Sequence, residues 1–215
     1  MWKNKRVTVF ITGGIAAYKV AKLVRLFVKE GAEVSVAMTK GACEFISPLT
    51  FQVLTKNKVY LDTFEEDEAN KVQHIHLADH TDVAVVVPAT ANTIAKMANG
   101  IADNFVTSTL LATTAPIYIA PAMNEHMWEN PATVRNVTQL KADGKVVIEP
   151  ASGFLAEGYN GKGRLPEPEE IFEQITFLES RRTSKSPLKG KSVLITAGGT
   201  KERIDPVRYI SNDSS

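Results

Sequence analysis

Two short segments of this chain carry the residue types from which a ligand site is built. The first is VAVVVPATANTIAKMANGIADN, residues 83–104, and the second is APIYIAPAMNEHMW, residues 115–128. Each begins as an apolar run, reaches a proline-marked turn of small residues and Asn, then passes into a helix-like stretch. Small residues let a ligand approach the backbone, and Asn offers both a donor and an acceptor. A third turn, Thr12-Gly13-Gly14-Ile15-Ala16, follows another apolar run and opens a long amphipathic stretch. Backbone N–H groups at such a helix start suit a phosphate. The turn matches neither GxGxxG nor GxxxxGK[ST], so a ligand-free βα turn reads it equally well. Thr39 offers a hydroxyl to the same phosphate, or simply completes a turn.

His74, His76 and His80 raise the question of a metal. Positions 74 and 76 share a face of a strand, whereas 76 and 80 share a face of a helix. No single conformation serves all three, and no carboxylate pair lies beside them, so no metal is expected. A histidine just before a buried strand also suits proton transfer, because its pKa lies near neutrality. The plain alternative for any of the three is a solvated helix face.

The elements that must position these residues alternate regularly. Strands are predicted at Val7–Thr12, Glu33–Met38, Val83–Val87, Ile117–Ala120 and Val146–Ile148. Helices are predicted at Ala16–Glu30, Pro48–Thr55, Ala91–Asn99, Phe105–Thr113, Pro131–Ala142 and Glu169–Ser180. Strands too apolar to be half exposed, in βαβα order, define an α/β protein with a parallel sheet and helices on both faces. In such a sheet the turns at the carboxyl ends of the strands converge on a ligand crevice. Residues 151–168, with four glycines and two prolines, read as a long loop of the kind that acts as a lid or clamp. A basic, proline-bearing linker follows, and a fresh strand is predicted at Ser192–Thr196.

Composition narrows the classes. The 215 residues are 44% hydrophobic and 23% charged with a net charge of +1, which is ordinary for a soluble globular protein and gives no reason to expect a nucleic-acid partner. The lone Cys43 excludes an internal disulfide and suits a reducing cytoplasm. MWKNKR before VTVFITGGIAA superficially resembles a signal peptide, but its short apolar core runs into two glycines and reads as a first strand. No apolar segment is long enough to span a membrane.

Taken in order, GGIAAYK, QHIHLADHTD, PATANTIAKMANGIADN, PAMNEHMW and GFLAEGYNGKGRL resemble the flavin-dependent cysteine decarboxylases. Within that family they are similar to the phosphopantothenoylcysteine decarboxylases of coenzyme A biosynthesis, over roughly residues 5–180. The resemblance implies a Rossmann-like flavoprotein that binds FMN between the subunits of a trimer or a larger trimer-based oligomer. Gly13, Gly14, Ile15, Ala16 and Thr39 match the flavin-phosphate region; Thr90, Ala91, Asn92, Thr93 and Ala122 match the segments that hold the flavin. His74 matches the catalytic histidine, whereas His76 and His80 match no motif position. Asn124 matches the asparagine that meets the substrate carboxylate and cysteine unit, with Met127 nearby and Ala156 and Glu157 on the clamp.

The implied reaction converts phosphopantothenoylcysteine to phosphopantetheine. Losing CO2 from an ordinary cysteine carboxylate leaves an unstabilised carbanion; removing a hydride equivalent from the thiol-bearing carbon first creates a thioaldehyde that accepts the electrons. Many family members carry a clamp cysteine, in a pattern like LACG, that protonates the resulting ene-thiolate. This chain reads Leu155-Ala156-Glu157-Gly158. Glu157 is expected to act as the acid if burial raises its pKa. The alternatives are another donor or water, oxidative decarboxylation of a peptide C-terminal cysteine that stops at the ene-thiol, or a non-catalytic flavin-fold binding module. The expected organisation is a decarboxylase domain over 1–182, a linker over 183–190, and residues 191–215 as the opening of a phosphopantothenate–cysteine ligase domain too short to ligate.

Overall fold

The apolar runs become the strands of one parallel sheet in the computed structural model, which describes residues 1–64, 72–154, 158–183, 190–196 and 201–211. In chain order the sheet region comprises β1 (Arg6–Ile11), α1 (Ala17–Lys29), β2 (Glu33–Met38), α2 (Lys40–Cys43), α3 (Pro48–Thr55), β3 (Val59–Tyr60), α4 (Gln73–Asp79), β4 (Val83–Ala89), α5 (Ala91–Asn99), α6 (Phe105–Ala112), β5 (Ile117–Pro121), α7 (Glu125–Glu129), α8 (Pro131–Ala142) and β6 (Val146–Val147). A hairpin of β7 (Ala151–Phe154) and β8 (Asn160–Arg164) follows, then α9 (Pro168–Thr183). Residues 1–182 form one compact unit and 183–215 a second, which contains the hairpin β9 (Lys201–Arg203) and β10 (Tyr209–Ser211).

Strand order is β3-β2-β1-β4-β5-β6, every pair parallel. This is the Rossmann-like doubly wound order, and it reverses direction between β1 and β4, where a crevice must open at the carboxyl ends. Alternation along the central strands splits the core in two. Val83, Val85 and Val87 join Val9, Ile11, Val36 and Phe27 on one face; Ala84, Val86 and Ala89 join Phe10, Ile119, Phe105 and Leu110 on the other. Both faces are therefore dry, which explains why the strands are continuous apolar runs. Ser47-Pro48 and Asn130-Pro131 act as N-cap and first helical residue for α3 and α8.

The helix α9 is tied to the sheet by a buried polar cluster. The Tyr118 hydroxyl on β5 donates to Glu179 Oε1 at 2.6 Å, and Arg182 grips both carboxylate oxygens at 2.8 Å. Glu179 is fully buried. Burial alone would push its pKa up, but the bonds from Arg182 and Tyr118 hold it below the usual carboxylate range. Burial and the neighbouring Glu179 charge raise Tyr118 above the ordinary phenol value, so it stays a donor.

Three readings are corrected. The segment read as one long loop contains a hairpin: among its described residues β7 and β8 pair antiparallel, and Gly153 and Gly163 lie close against neighbouring atoms. Residues 192–196 form no strand; Val193, Leu194 and Ile195 are exposed, and among the described residues no strand pairs with this apolar run to give it a ladder. The histidine segment is the helix α4, so the strand alternative for positions 74 and 76 falls.

Candidate active site

A groove of about 630 Å³ opens where the strand order reverses. Three walls come from the turns after β1, β4 and β5. Gly13, Gly14, Ile15 and Ala16 form the first wall, Thr90 and Ala91 the second, and Ala122, Met123, Asn124 and Met127 the third. The β8 end supplies the fourth wall with Gly163, Arg164 and Leu165, and Phe154 adds an apolar edge.

Local bonds explain why these turns hold their shape. Thr12, fully buried at the end of β1, donates to the Pro88 carbonyl at 2.6 Å and accepts from the Thr90 N–H at 3.0 Å. One hydroxyl thus fastens the first wall to the second. Thr90 in turn caps α5 by accepting from Thr93 N–H. A β-carbon on Gly13 would collide with the Gly41 backbone, so the close approach of these two turns requires glycine. Helix α1 begins with no side-chain cap at Ala16 and no acid in its first turn, leaving the positive end of its dipole uncompensated by side chains.

Asn124 is held at the third wall. Its Oδ1 accepts from the His126 N–H at 2.9 Å as the cap of α7, and its Nδ2 donates to the Tyr159 hydroxyl at 3.0 Å. The hairpin is docked on the same turn: Met123 N–H donates to the Gly163 carbonyl at 3.0 Å, and Lys162 N–H to Glu125 Oε1 at 2.9 Å.

Other sequence candidates lie elsewhere. Thr39 caps the short α2 by accepting from Ala42 N–H and does not line the groove. Asn92 is exposed on α5, and Thr93 is buried beneath Thr90. Ala156 and Glu157 lie outside the described residues. His74 is on α4, its ring edge-on to Phe105 with centroids 6.4 Å apart, and it is not part of the groove wall. Its Nδ1 is buried and has no hydrogen-bond partner among the described residues. His76 and His80 stack at 4.0 Å, and among the described residues no three potential ligands converge on a metal position.

Sequence reasoning did not single out Tyr18, Lys19, Tyr159, Arg164 or Leu165. Lys19 closes GGIAAYK, and Arg164 with Leu165 ends GKGRL, so a charge next to each glycine turn was the available signal.

An α/β protein with a small-residue groove at the switch point of a 3-2-1-4-5-6 sheet is built to take a nucleotide-like cofactor. Residues 1–178 match the family described as Flavoprotein, and residues 188–215 match the DNA/pantothenate metabolism flavoprotein C-terminal domain. The chain belongs to the flavoprotein family. It is 52% identical over 215 residues to the coenzyme A biosynthesis bifunctional protein CoaBC of Bacillus subtilis (strain 168), covering 100% of this chain and 53% of that protein. The chain thus spans about half the length of the curated relatives it matches. A solved PPC decarboxylase mutant complexed with pantothenoylaminoethenethiol superposes with a TM-score of 0.75 at 33% identity, covering 83% of this chain and 100% of that one. The FMN binding protein AtHal3 superposes with a TM-score of 0.73 at 33% identity, covering 85% and 100% respectively.

Proposed function

We propose that this chain is an FMN-dependent decarboxylase that converts phosphopantothenoylcysteine to phosphopantetheine in coenzyme A biosynthesis. The observation that carries the reading is Asn124, an amide donor oriented at the wall of a groove whose other walls are small residues at strand ends. The groove suits a flavin on its own terms: about 630 Å³ lies within the ~300–1,000 Å³ usual for cofactor sites, and the uncapped start of α1 faces it. Gly13, Gly14, Ile15 and Ala16 would take the flavin phosphate, with Thr90, Ala91 and Ala122 against the rest. Thr39 and Thr93 would support this cradle from behind, through the capping of α2 and α5, and the exposed Asn92 on the first turn of α5 would meet the flavin itself.

When bound, FMN supplies the two-electron acceptance and return that lets a thioaldehyde serve as the electron sink for CO2 loss. Asn124 would hold the departing carboxylate away from water, where it decarboxylates more readily. Met127 would pack against the cysteine unit. Glu157 would deliver the proton to the ene-thiolate carbon, the task a clamp cysteine performs in many relatives.

His74 does not share the groove with Asn124 in one chain, and its buried Nδ1 finds no partner among the described residues. This favours a trimer in which His74 completes the groove of a neighbouring protomer. Exposed apolar side chains at Ile15 and Tyr18, on the groove's own rim, suit such a contact. A single cysteine suits a cytoplasmic enzyme. Residues 1–182 would be the decarboxylase domain, 183–190 a linker and 191–215 the opening of the ligase domain; we assign no ligation chemistry to this chain. The test is CO2 release from phosphopantothenoylcysteine by the purified yellow protein; a colourless protein, or a flavin-loaded one with no CO2 release, overturns the proposal.

A further inference from the structure

We propose that Lys19 and Arg164 recognise the terminal phosphate of the substrate, with Glu167 as the counter-charge that the phosphate displaces. The inference rests on the decarboxylase reading and names the residues that would select a phosphorylated substrate over its unphosphorylated counterpart.

Lys19 on α1 and Arg164 at the end of β8 line the main groove and also an adjoining cavity of about 310 Å³. The same Glu167 oxygen takes both cations: Lys19 Nζ lies 2.7 Å from Oε1 and Arg164 Nη2 lies 2.8 Å from it. Those bonds, Lys19 first, hold the Glu167 carboxyl below its usual range. The Lys19 side chain is only 11% exposed. An ammonium so withdrawn from water needs anionic partners, and it carries three donors. Arg164 carries five donors in a planar fork. One shared carboxylate oxygen leaves this pair with net charge +1 and more donors than it can satisfy. A phosphate monoester, with its dianionic charge and three free oxygens, matches both better.

The flavin carries a phosphate monoester too, but the uncapped start of α1 provides for that one. Arg164 instead belongs to the hairpin whose Tyr159 touches Asn124. One element would then register both ends of the substrate, the carboxylate at Asn124 and the phosphate at Arg164.

The test is calorimetric binding of 4′-phosphopantetheine and of pantetheine to the flavin-loaded protein and to Lys19→Met, Arg164→Met and Glu167→Gln. FMN and riboflavin are titrated into the corresponding apoproteins. The phosphorylated ligand is expected to bind at least tenfold more tightly than pantetheine. That preference should fall below threefold in both Met variants and widen in Glu167→Gln, while the FMN-to-riboflavin ratio stays constant. Equal binding of the two pantetheines to the unaltered protein, or a preference that survives both Met variants, overturns the inference and leaves the decarboxylase reading standing. A collapse of the FMN-to-riboflavin ratio instead assigns the pair to the flavin and also overturns it. If neither pantetheine binds the flavin-loaded protein, the decarboxylase reading fails with it.

Discussion

Replacing Gly163 by alanine isolates what the glycine-rich hairpin contributes to the groove. Gly163 has φ +147°, and a β-carbon there would run into the Met123 carbonyl. The substituted chain has two ways out. It can keep the docked geometry and bear the strain, about 1–3 kcal/mol for the backbone conformation before any collision. Or it can lift β8 away and lose the bonds from Met123 N–H and Lys162 N–H, about 0.5–1.5 kcal/mol each. The cheaper route is undocking, so the loss should be about 1–3 kcal/mol, a shift of roughly 5- to 150-fold in the docked population. Gly100→Ala is the control: it also has positive φ, +67°, but nothing lies within 4 Å of its would-be β-carbon. It should cost about 1–2 kcal/mol, from the left-handed backbone alone and spread over the whole fold. Native-state amide exchange separates the two. Gly163→Ala should lower protection at Met123 and Lys162 by that factor while amides in β1 and β4 keep theirs. Unchanged protection at Met123, or an even loss across all amides as in the control, would refute the collision argument.

Glu179→Gln tests the buried cluster through pH. Because the folded carboxyl lies below its unfolded value, its contribution is complete above about pH 4.3 and is lost as pH falls through the folded pKa. Urea unfolding should therefore show the variant weaker by about 1–3 kcal/mol at pH 7, with the gap closing toward pH 3; a constant gap would exclude the ionic role. If His74 acts across a protomer boundary, mixing His74→Asn with Asn124→Asp subunits should restore about one quarter of full activity in randomly assembled trimers. A site confined to one chain gives no recovery. Glu157→Gln should accumulate the ene-thiol, two hydrogens lighter than phosphopantetheine by mass; unchanged turnover to phosphopantetheine assigns the proton to another group.

The sheet was legible because its strands are buried on both faces, which makes each of them a continuous apolar run. Once the order was parallel, geometry required Gly13, Ala91, Ala122 and Asn124 to meet at the strand ends. The hairpin was not legible, since GFLAEGYNGKGRL has no alternating apolar face. Its strands are held by the backbone ladder and by the close approach of Gly163 to Met123, neither of which leaves a periodic signal. Thr39 and Thr93 expose another limit: a hydroxyl that caps a helix and one that meets a ligand look alike in sequence. His74 sits on a helix of seven residues, too short for a period, and spacing along one chain carries no information about contacts between two. Lys19 and Arg164 were hidden because a paired surface cation and a ligand-binding one differ only in what surrounds them.

The most direct test of the central claim is the stoichiometry of one reaction. The flavin-loaded protein is given phosphopantothenoylcysteine without oxygen, and CO2, product mass and flavin colour are measured together. Equal amounts of CO2 and phosphopantetheine over many turnovers, with the flavin oxidised at the end, is the expected result. CO2 limited to one equivalent per flavin, with an ene-thiol product and a bleached flavin, would contradict it.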